Sequence, residues 1–268
     1  MSAFDPALMN TPKFQPSPWL PEPCPSGPDA PRLFCFASAG GSAEIYRPWQ
    51  EYFGQSLQIC PVELPGRGRR LGEPFSASLA DAASQIAEAI REMANGPFAL
   101  FGHSLGSILA LETARLLESQ SLPLTCLFVS SYGAPHRYRE DKGLYLASNV
   151  ALVDEMRRYG NTPEEVLANG EFLQYMLPIL RDDYRLLETH ICDPLPLLDA
   201  SIRVCAGDAE PDVNAEALGW WKELTRASCT ISIFPGDHFY FQSDREPLWR
   251  HISGQLRELG LIRQQGNF

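Results

Sequence analysis

The sequence is poor in the features that mark a metalloprotein, a disulfide scaffold or a membrane protein. Its seven cysteines (Cys24, Cys35, Cys60, Cys126, Cys192, Cys205 and Cys229) stand singly, with no CxxC pair and no Cys/His spacing of the metal-binding kind. An odd, scattered set inside apolar segments reads as free thiols in a reducing compartment, so no metal site is expected and the protein is placed in the cytoplasm. No apolar run reaches the ~18 residues of a membrane span, and the N-terminus lacks the basic stretch and apolar core of a secretory leader. Internal repeats are missing as well. Basic residues are outnumbered, 22 Lys and Arg against 33 Asp and Glu, for a net charge of −11. Such a field repels phosphate, which argues against nucleic acid or an anionic membrane as partner.

What is present suits a globular enzyme. The 268 residues are 44 % hydrophobic and 21 % charged, enough for one large α/β domain with a full core. Nine prolines fall within residues 1–31; they remove backbone donors and fix φ, so this N-terminal extension is expected to be extended or disordered rather than helical. A leader strapped along the surface is the plain reading, a docking arm the alternative. Residues 32–268 then form the domain. Apolar runs of strand length occur at Arg32–Phe36, Gln58–Val62, Phe98–Phe101, Leu124–Ser130, Ile202–Ala206 and Cys229–Phe234. Between them Leu79–Met93, Leu105–Glu118, Ala215–Thr225 and Glu246–Leu259 carry helical periodicity. Strands alternating with helices imply βαβ units and a mostly parallel sheet. Residues 135–190 break the alternation with helical patterns only, Asn149–Tyr159 and Pro163–Leu180, and read as a lid inserted between two strands.

Gly102-His103-Ser104-Leu105-Gly106 fits the G-x-S-x-G pattern of a nucleophile elbow. The string alone is weak; its setting between a strand run and a helix is what gives it meaning. A serine hydroxyl needs a base, and five histidines compete. His103 adjoins Ser104 on the elbow and points elsewhere; His251 lies in the last helix; His136 and His190 flank the helical block. His238 follows the last strand on a glycine-containing loop, where the base belongs when the chain order is serine, acid, histidine. The acid is expected at the end of the preceding strand, in Gly207-Asp208-Ala209-Glu210-Pro211-Asp212, where three carboxylates compete.

Several separated strings resemble the type II thioesterases, the free-standing editing enzymes of polyketide and nonribosomal peptide synthesis. Phe36-Ala37-Ser38-Ala39-Gly40-Gly41-Ser42 is similar to their oxyanion loop, Leu64-Pro65-Gly66-Arg67-Gly68-Arg69 to their proline-glycine-arginine motif, and Gly102–Gly106 to their elbow. Ser131–His136 resembles the start of the lid, Leu177–Asp183 with Glu188-Thr189 its end, and Gly236-Asp237-His238-Phe239 the histidine loop. The likeness runs from about Arg32 to Leu256. Two departures stand out. Ala37-Ser38 replaces the usual Pro-His, and Glu210 before Pro211 occupies the position of the family's aspartate, so Glu210 is the favoured acid and Asp208 the second choice.

The resemblance implies an α/β-hydrolase fold with a helical lid and a serine thioesterase acting without a cofactor of its own. Ser104 would be the nucleophile and His238 the base, with the backbone N–H groups of Ala39 and Leu105 as the oxyanion hole. The substrate would be an acyl chain on the phosphopantetheine arm of an acyl or peptidyl carrier protein. Arg67, Arg69 and Arg70 would meet the arm's phosphate or an acidic carrier. Val129-Ser130-Ser131-Tyr132 lacks the aspartate that synthase-fused thioesterases carry after this strand, so a stand-alone enzyme is expected; it is also expected to be a monomer. A carboxylesterase or lipase-like hydrolase, an acyltransferase and a non-catalytic carrier-binding module remain as rival readings.

Overall fold

A computed structural model describes residues 17–21, 30–94, 96–139 and 141–263. Strands β1 (Arg32–Phe36), β2 (Gln58–Pro61), β3 (Phe98–His103), β4 (Leu124–Ser130), β5 (Ser201–Gly207) and β6 (Cys229–Phe234) form one parallel sheet, ordered β2-β1-β3-β4-β5-β6. The near-continuous apolar runs of the sequence follow from this arrangement, because a parallel sheet is covered on both faces. Helices α2 (Leu79–Met93) and α3 (Leu105–Ser119) cover one face, with Ile86, Ile90, Ile108 and Leu111 fully buried against the strands. On the other face α1 (Arg47–Phe53) and α9 (Glu246–Glu258) bury Trp49, Ile252 and Leu256. Ser78 starts α2 by accepting the N–H of Asp81 on its hydroxyl at 3.1 Å.

Between β4 and β5 the described chain is helical: a 3₁₀ turn at Leu144–Leu146, then α4 (Asn149–Tyr159), α5 (Glu164–Leu167) and α6 (Gly170–Thr189). The single helix expected over Pro163–Leu180 is two. Asn169 ends α5 and caps α6, its side-chain oxygen accepting from the N–H groups of Glu171 and Phe172 at 3.0 and 3.1 Å. The helix expected over Ala215–Thr225 likewise splits into α7 (Ala215–Gly219) and a 3₁₀ stretch, Trp220–Leu224. There the buried Trp221 indole donates to the Tyr132 carbonyl at 2.8 Å, and the backbone tightens to deliver it. A last short helix, α8 (Tyr240–Ser243), precedes α9.

In the proline-rich segment, Trp19 and Leu20 are buried in a turn closed by Leu20 N–H to Ser17 O at 2.9 Å. The Trp19 carbonyl accepts from Glu63 N–H, and the Arg70 guanidinium lies 4.1 Å over the indole. The rest of the extension expected over 1–31, residues 1–16 and 22–29, lies outside the described residues. Six cysteines are free thiols, all buried except the half-buried Cys229, and Cys24 lies outside the described residues. Burial pushes the Cys192 and Cys205 thiols up to about 12, which keeps them unreactive. No helix among the described residues is long and apolar enough to cross a membrane.

Candidate active site

In a doubly wound sheet a crevice opens beyond the strand C-termini where neighbouring connections leave in opposite directions. Here that point lies between β1 and β3. The turn after β1 holds Ser38–Gly41, and the turn after β3 holds Ser104.

Ser104 has φ 55° and ψ −120°, a conformation costly for any residue with a side chain. Its surroundings enforce it. The Ser104 N–H is held by the Ser130 carbonyl at 2.8 Å. A Cβ on Gly102 would fall 2.1 Å from the Gly106 carbonyl oxygen, and one on Gly106 would fall 2.2 Å from that of Phe36. Both obstacles are backbone, so neither glycine is replaceable without moving β1, β3 or α3. The Ser107 hydroxyl donates within this knot to the Gly102 and Ser130 carbonyls at 2.9 and 3.1 Å.

Backbone contacts also lock the loops after β5 and β6 together. Asp208 N–H donates to the Phe234 carbonyl and Ala209 N–H to that of Gly236, each at 2.8 Å. The Asp208 carboxylate is spent on Gly236 N–H at 2.9 Å and stands exposed. It is not the histidine's partner. One residue past the strand it still follows the strand direction and caps the neighbouring loop. Three residues past Gly207 the chain has turned, and His238 Nδ1–H donates to both oxygens of Glu210, at 2.9 and 3.0 Å. This pair is sealed, with side chains 4 % and 2 % exposed. The Ser131 hydroxyl holds the His238 carbonyl at 3.2 Å. Asp212, the third carboxylate of the turn, faces away, toward Arg158 and Tyr159 of α4.

Ser104, Ala39 and His238 line one cavity of about 240 Å³, roofed by Met156 and Tyr159 of α4 and Met176 of α6. Among the described residues, none of its lining side chains is Asp, Glu, Lys or Arg. Leu105 begins α3, so its N–H is one of the amides a helix start leaves unpaired within the helix. The structure therefore brings together Ser104, His238, Glu210, Ala39 and Leu105, and leaves Asp208 outside the group.

Two neighbours of the base were not picked out from the sequence. The Tyr159 ring lies 4.6 Å from the His238 ring, and its hydroxyl donates to Asp212 at 2.7 Å. The buried His103 ring lies 4.9 Å from the His238 ring, with Nδ1 3.0 Å from the Ser130 hydroxyl. Burial, with the nearby His238, holds His103 well below the usual histidine range, so it stays neutral. His103 lies in the elbow string, at a position the pattern leaves open, and Tyr159 lies in none. The other histidines are tied elsewhere: His136 to Glu223 and His190 to Glu112, each at 3.1 Å, while His251 lies edge-on to Phe234.

The expectation that Arg67, Arg69 and Arg70 meet a phosphate fails for two of the three. Arg67 is buried and makes a bidentate pair with Asp183 of α6, both contacts at 2.6 Å. Arg70 is buried between Trp19, Glu73 and the Glu63 carbonyl. Only Arg69 reaches the surface, where it donates to the Pro21 carbonyl at 2.9 Å. The run of basic residues has a packing cause. Glu112, His190 and Cys192 bring three metal-ligand atoms within 4.8 Å of one another, but the Arg115 guanidinium sits among them, 3.2 Å from Glu112 and 3.5 Å from Cys192. A fixed positive charge there opposes a cation.

The sequence matches the thioesterase domain family over residues 31–256. It is 33 % identical over 246 residues to linear gramicidin dehydrogenase LgrE of Brevibacillus parabrevis, covering 90 % of this chain and 94 % of that one. It is 32 % identical over 240 residues to thioesterase PikA5 of Streptomyces venezuelae, covering 89 % and 85 %. The structure superposes on the type II thioesterase BorB from the borrelidin biosynthetic cluster with a TM-score of 0.84 and 35 % identity, covering 91 % of this chain and all of that one. With the fold and the crevice described above, these likenesses identify the chain as a member of the thioesterase family, of the type II kind.

Proposed function

We propose that this thioesterase removes stalled or aberrant acyl groups from the phosphopantetheine arms of acyl or peptidyl carrier proteins, with Ser104, His238 and Glu210 as its triad. One observation carries the reading: an elbow serine and a histidine backed by a buried carboxylate share one uncharged cavity. Ser104 Oγ attacks the thioester carbonyl and its proton passes to His238 Nε2. Glu210 holds the ring through Nδ1 and stabilises the imidazolium. The N–H groups of Ala39 and Leu105 receive the oxyanion, and a donor of this kind is worth about 2.7–4 kcal/mol. Collapse of the tetrahedral adduct breaks the C–S bond, and the thiolate takes the proton from His238. Water, giving its proton to the same nitrogen, then attacks the acyl-serine ester and frees the carboxylic acid and Ser104. The phosphopantetheine belongs to the substrate, and the chain's own groups complete the cycle.

The cavity further favours neutral acyl groups. A carboxylated acyl chain would bring a charge into a lining that offers it no countercharge, at a desolvation cost of several kcal/mol. The relatives named for gramicidin biosynthesis support service on such an assembly line, for which a monomeric, cytoplasmic enzyme is the form proposed. The test compares a neutral acyl thioester, its ω-carboxylated analogue and the matching oxygen ester, each on pantetheine and on a carrier protein. Preference for the neutral thioester on the carrier supports the reading; equal turnover of the oxygen ester, or transfer of the acyl group to added amines, overturns it.

A further inference from the structure

The oxyanion loop is fastened by side chains from two distant parts of the chain. Gly41 N–H donates to the Ser38 carbonyl at 2.9 Å, closing a β-turn whose third residue, Gly40, has φ +72°. The Ser38 carbonyl and the Ala39 N–H share one planar, trans peptide and point in opposite directions. Whatever fixes this turn therefore aims the Ala39 N–H. Asp183 of α6 accepts Gly40 N–H on Oδ2 at 2.7 Å. The same carboxylate receives both Nη atoms of Arg67 at 2.6 Å, and Arg67 Nη1 also donates to the Gly41 carbonyl at 3.2 Å. Glu63 secures the next amide, accepting Ala43 N–H on Oε1 at 3.1 Å. The Arg67 and Asp183 side chains are 3 % and 0 % exposed, so water does not compete for these bonds.

A buried ion pair is a poor way to add stability, because desolvation consumes most of the attraction. Its value lies in direction: a planar guanidinium and a carboxylate fix each other and, through two further bonds, fix the Ala39–Gly40 and Gly41–Ser42 peptides on either side of Gly40-Gly41. We infer that Arg67 and Asp183 are positioning residues for the thioesterase reaction, whose buried pair holds the Ser38–Gly41 turn so that the Ala39 N–H meets the oxyanion. They act through the loop and touch no substrate atom. The end of α6 is thereby part of the catalytic frame.

The inference rests on the serine mechanism above, so hydrolysis by the wild type and its loss in Ser104→Ala are measured first. An inactive wild type or an active Ser104→Ala overturns that mechanism and this inference with it, before any brace variant is read. Three variants then test the brace. Asp183→Asn keeps the shape and removes the charge. Arg67→Lys keeps the charge and loses the fork. Arg67→Met with Asp183→Leu removes both charges, an exchange that buried pairs tolerate without loss of fold. A displaced oxyanion donor predicts kcat lower by about 10² in Asp183→Asn and the double variant and by about tenfold in Arg67→Lys, with KM within about threefold. Affinity for an acyl trifluoromethyl ketone, which forms an oxyanion on Ser104, falls by the same factor. Affinity for an unreactive acyl-pantetheine thioether, which forms none, stays put. A folded double variant with kcat within threefold of wild type overturns the inference. So does a parallel loss of thioether affinity, which would mark a general loosening of the pocket.

Discussion

The crevice and the helical block above it are built by different means. Around Ser104 and His238 the geometry is dictated by backbone: carbonyls against glycine Cα atoms, amides paired across strand ends, loops zipped to each other. The helical block is held by side chains, and unevenly. Its α6 end is fixed at depth. Asp183 grips the Ser38–Gly41 turn, Arg185 donates to the Ser76 and Ala77 carbonyls, and the buried Glu188 accepts the Leu144 and Tyr145 amides. Its α4 end rests on a partly exposed network in which Asp212 receives Arg158, Tyr159 and Lys142. Exposed ion pairs of this sort contribute little individually. Backbone contacts fix atoms to fractions of an ångström and tolerate no substitution, whereas side-chain clamps can be exchanged or loosened. The elbow of Ser104 rests on the first kind, the Ser38–Gly41 turn and the helical cover on the second.

That contrast breaks most sharply at the serine. Ser104→Ala is expected to lower kcat on an acyl thioester by about 10⁴–10⁶ with folding intact by circular dichroism; activity within tenfold of wild type would remove Ser104 from the mechanism. The acid loop comes next. Glu210→Gln keeps the size but removes the charge facing the imidazolium, and by analogy with other triads kcat falls by up to about 10⁴, while Asp208→Asn costs less than about threefold. Steady-state kinetics on one substrate separate them, and the reverse order would relocate the acid. At the elbow, Gly106→Ala drives a Cβ into the Phe36 carbonyl and is expected to abolish soluble expression or activity, since that obstacle cannot rotate away.

Effects on the α4 clamp should be gentler. Asp212→Asn is expected to leave kcat within about fivefold but to speed amide exchange through α4 and α5 relative to α6 and the sheet. Uniform protection across the block would erase the distinction drawn here. The smallest effect is its pH dependence. Burial works to raise the Asp212 pKa, but the bonds from Arg158 and Tyr159 outweigh it and hold the carboxyl at about 2. A depressed folded pKa stabilises above the ordinary value of about 3.9, and that stability is lost as pH falls through about 2. The Tm difference between wild type and Asp212→Asn should therefore be constant above about pH 5 and shrink between about pH 4 and 2.

Much of the frame was legible in the sequence because strands buried on both faces write unbroken apolar runs. The bounds of β1 and β4 coincide with the runs Arg32–Phe36 and Leu124–Ser130; those of β6 coincide with Cys229–Phe234 although this edge strand leaves Thr230, Ile231 and Ile233 exposed. The elbow and histidine loops were legible because close backbone approach leaves only glycine as a solution. Less was legible where side chains decide. The break at Ala168–Asn169 is a capping event inside a continuous helical period, and α1 is too short to show one. The pairing of Arg67 with Asp183 spans 116 positions. Each residue lies in a recognisable string, yet nothing local distinguishes a buried guanidinium from a solvated one. For the same reason the run Arg67-Gly68-Arg69-Arg70 looked like a phosphate-facing surface.

The His103 ring beside His238 bears on where a proton would rest during turnover. In the proposed mechanism His238 takes the proton of Ser104, and the nearest other imidazole is that of His103, 4.9 Å away. Its Nε2 has no hydrogen-bond partner among the described residues, the ring is fully buried, and the rings of Phe239 and Phe241 lie 5.6 and 4.9 Å from it. Water cannot solvate a charge there, so His103 does not compete. In that mechanism His103 serves as an aromatic wall that never takes the charge. Proton-coupled NMR spectra between about pH 8 and 5 should accordingly show His103 resonances that do not titrate.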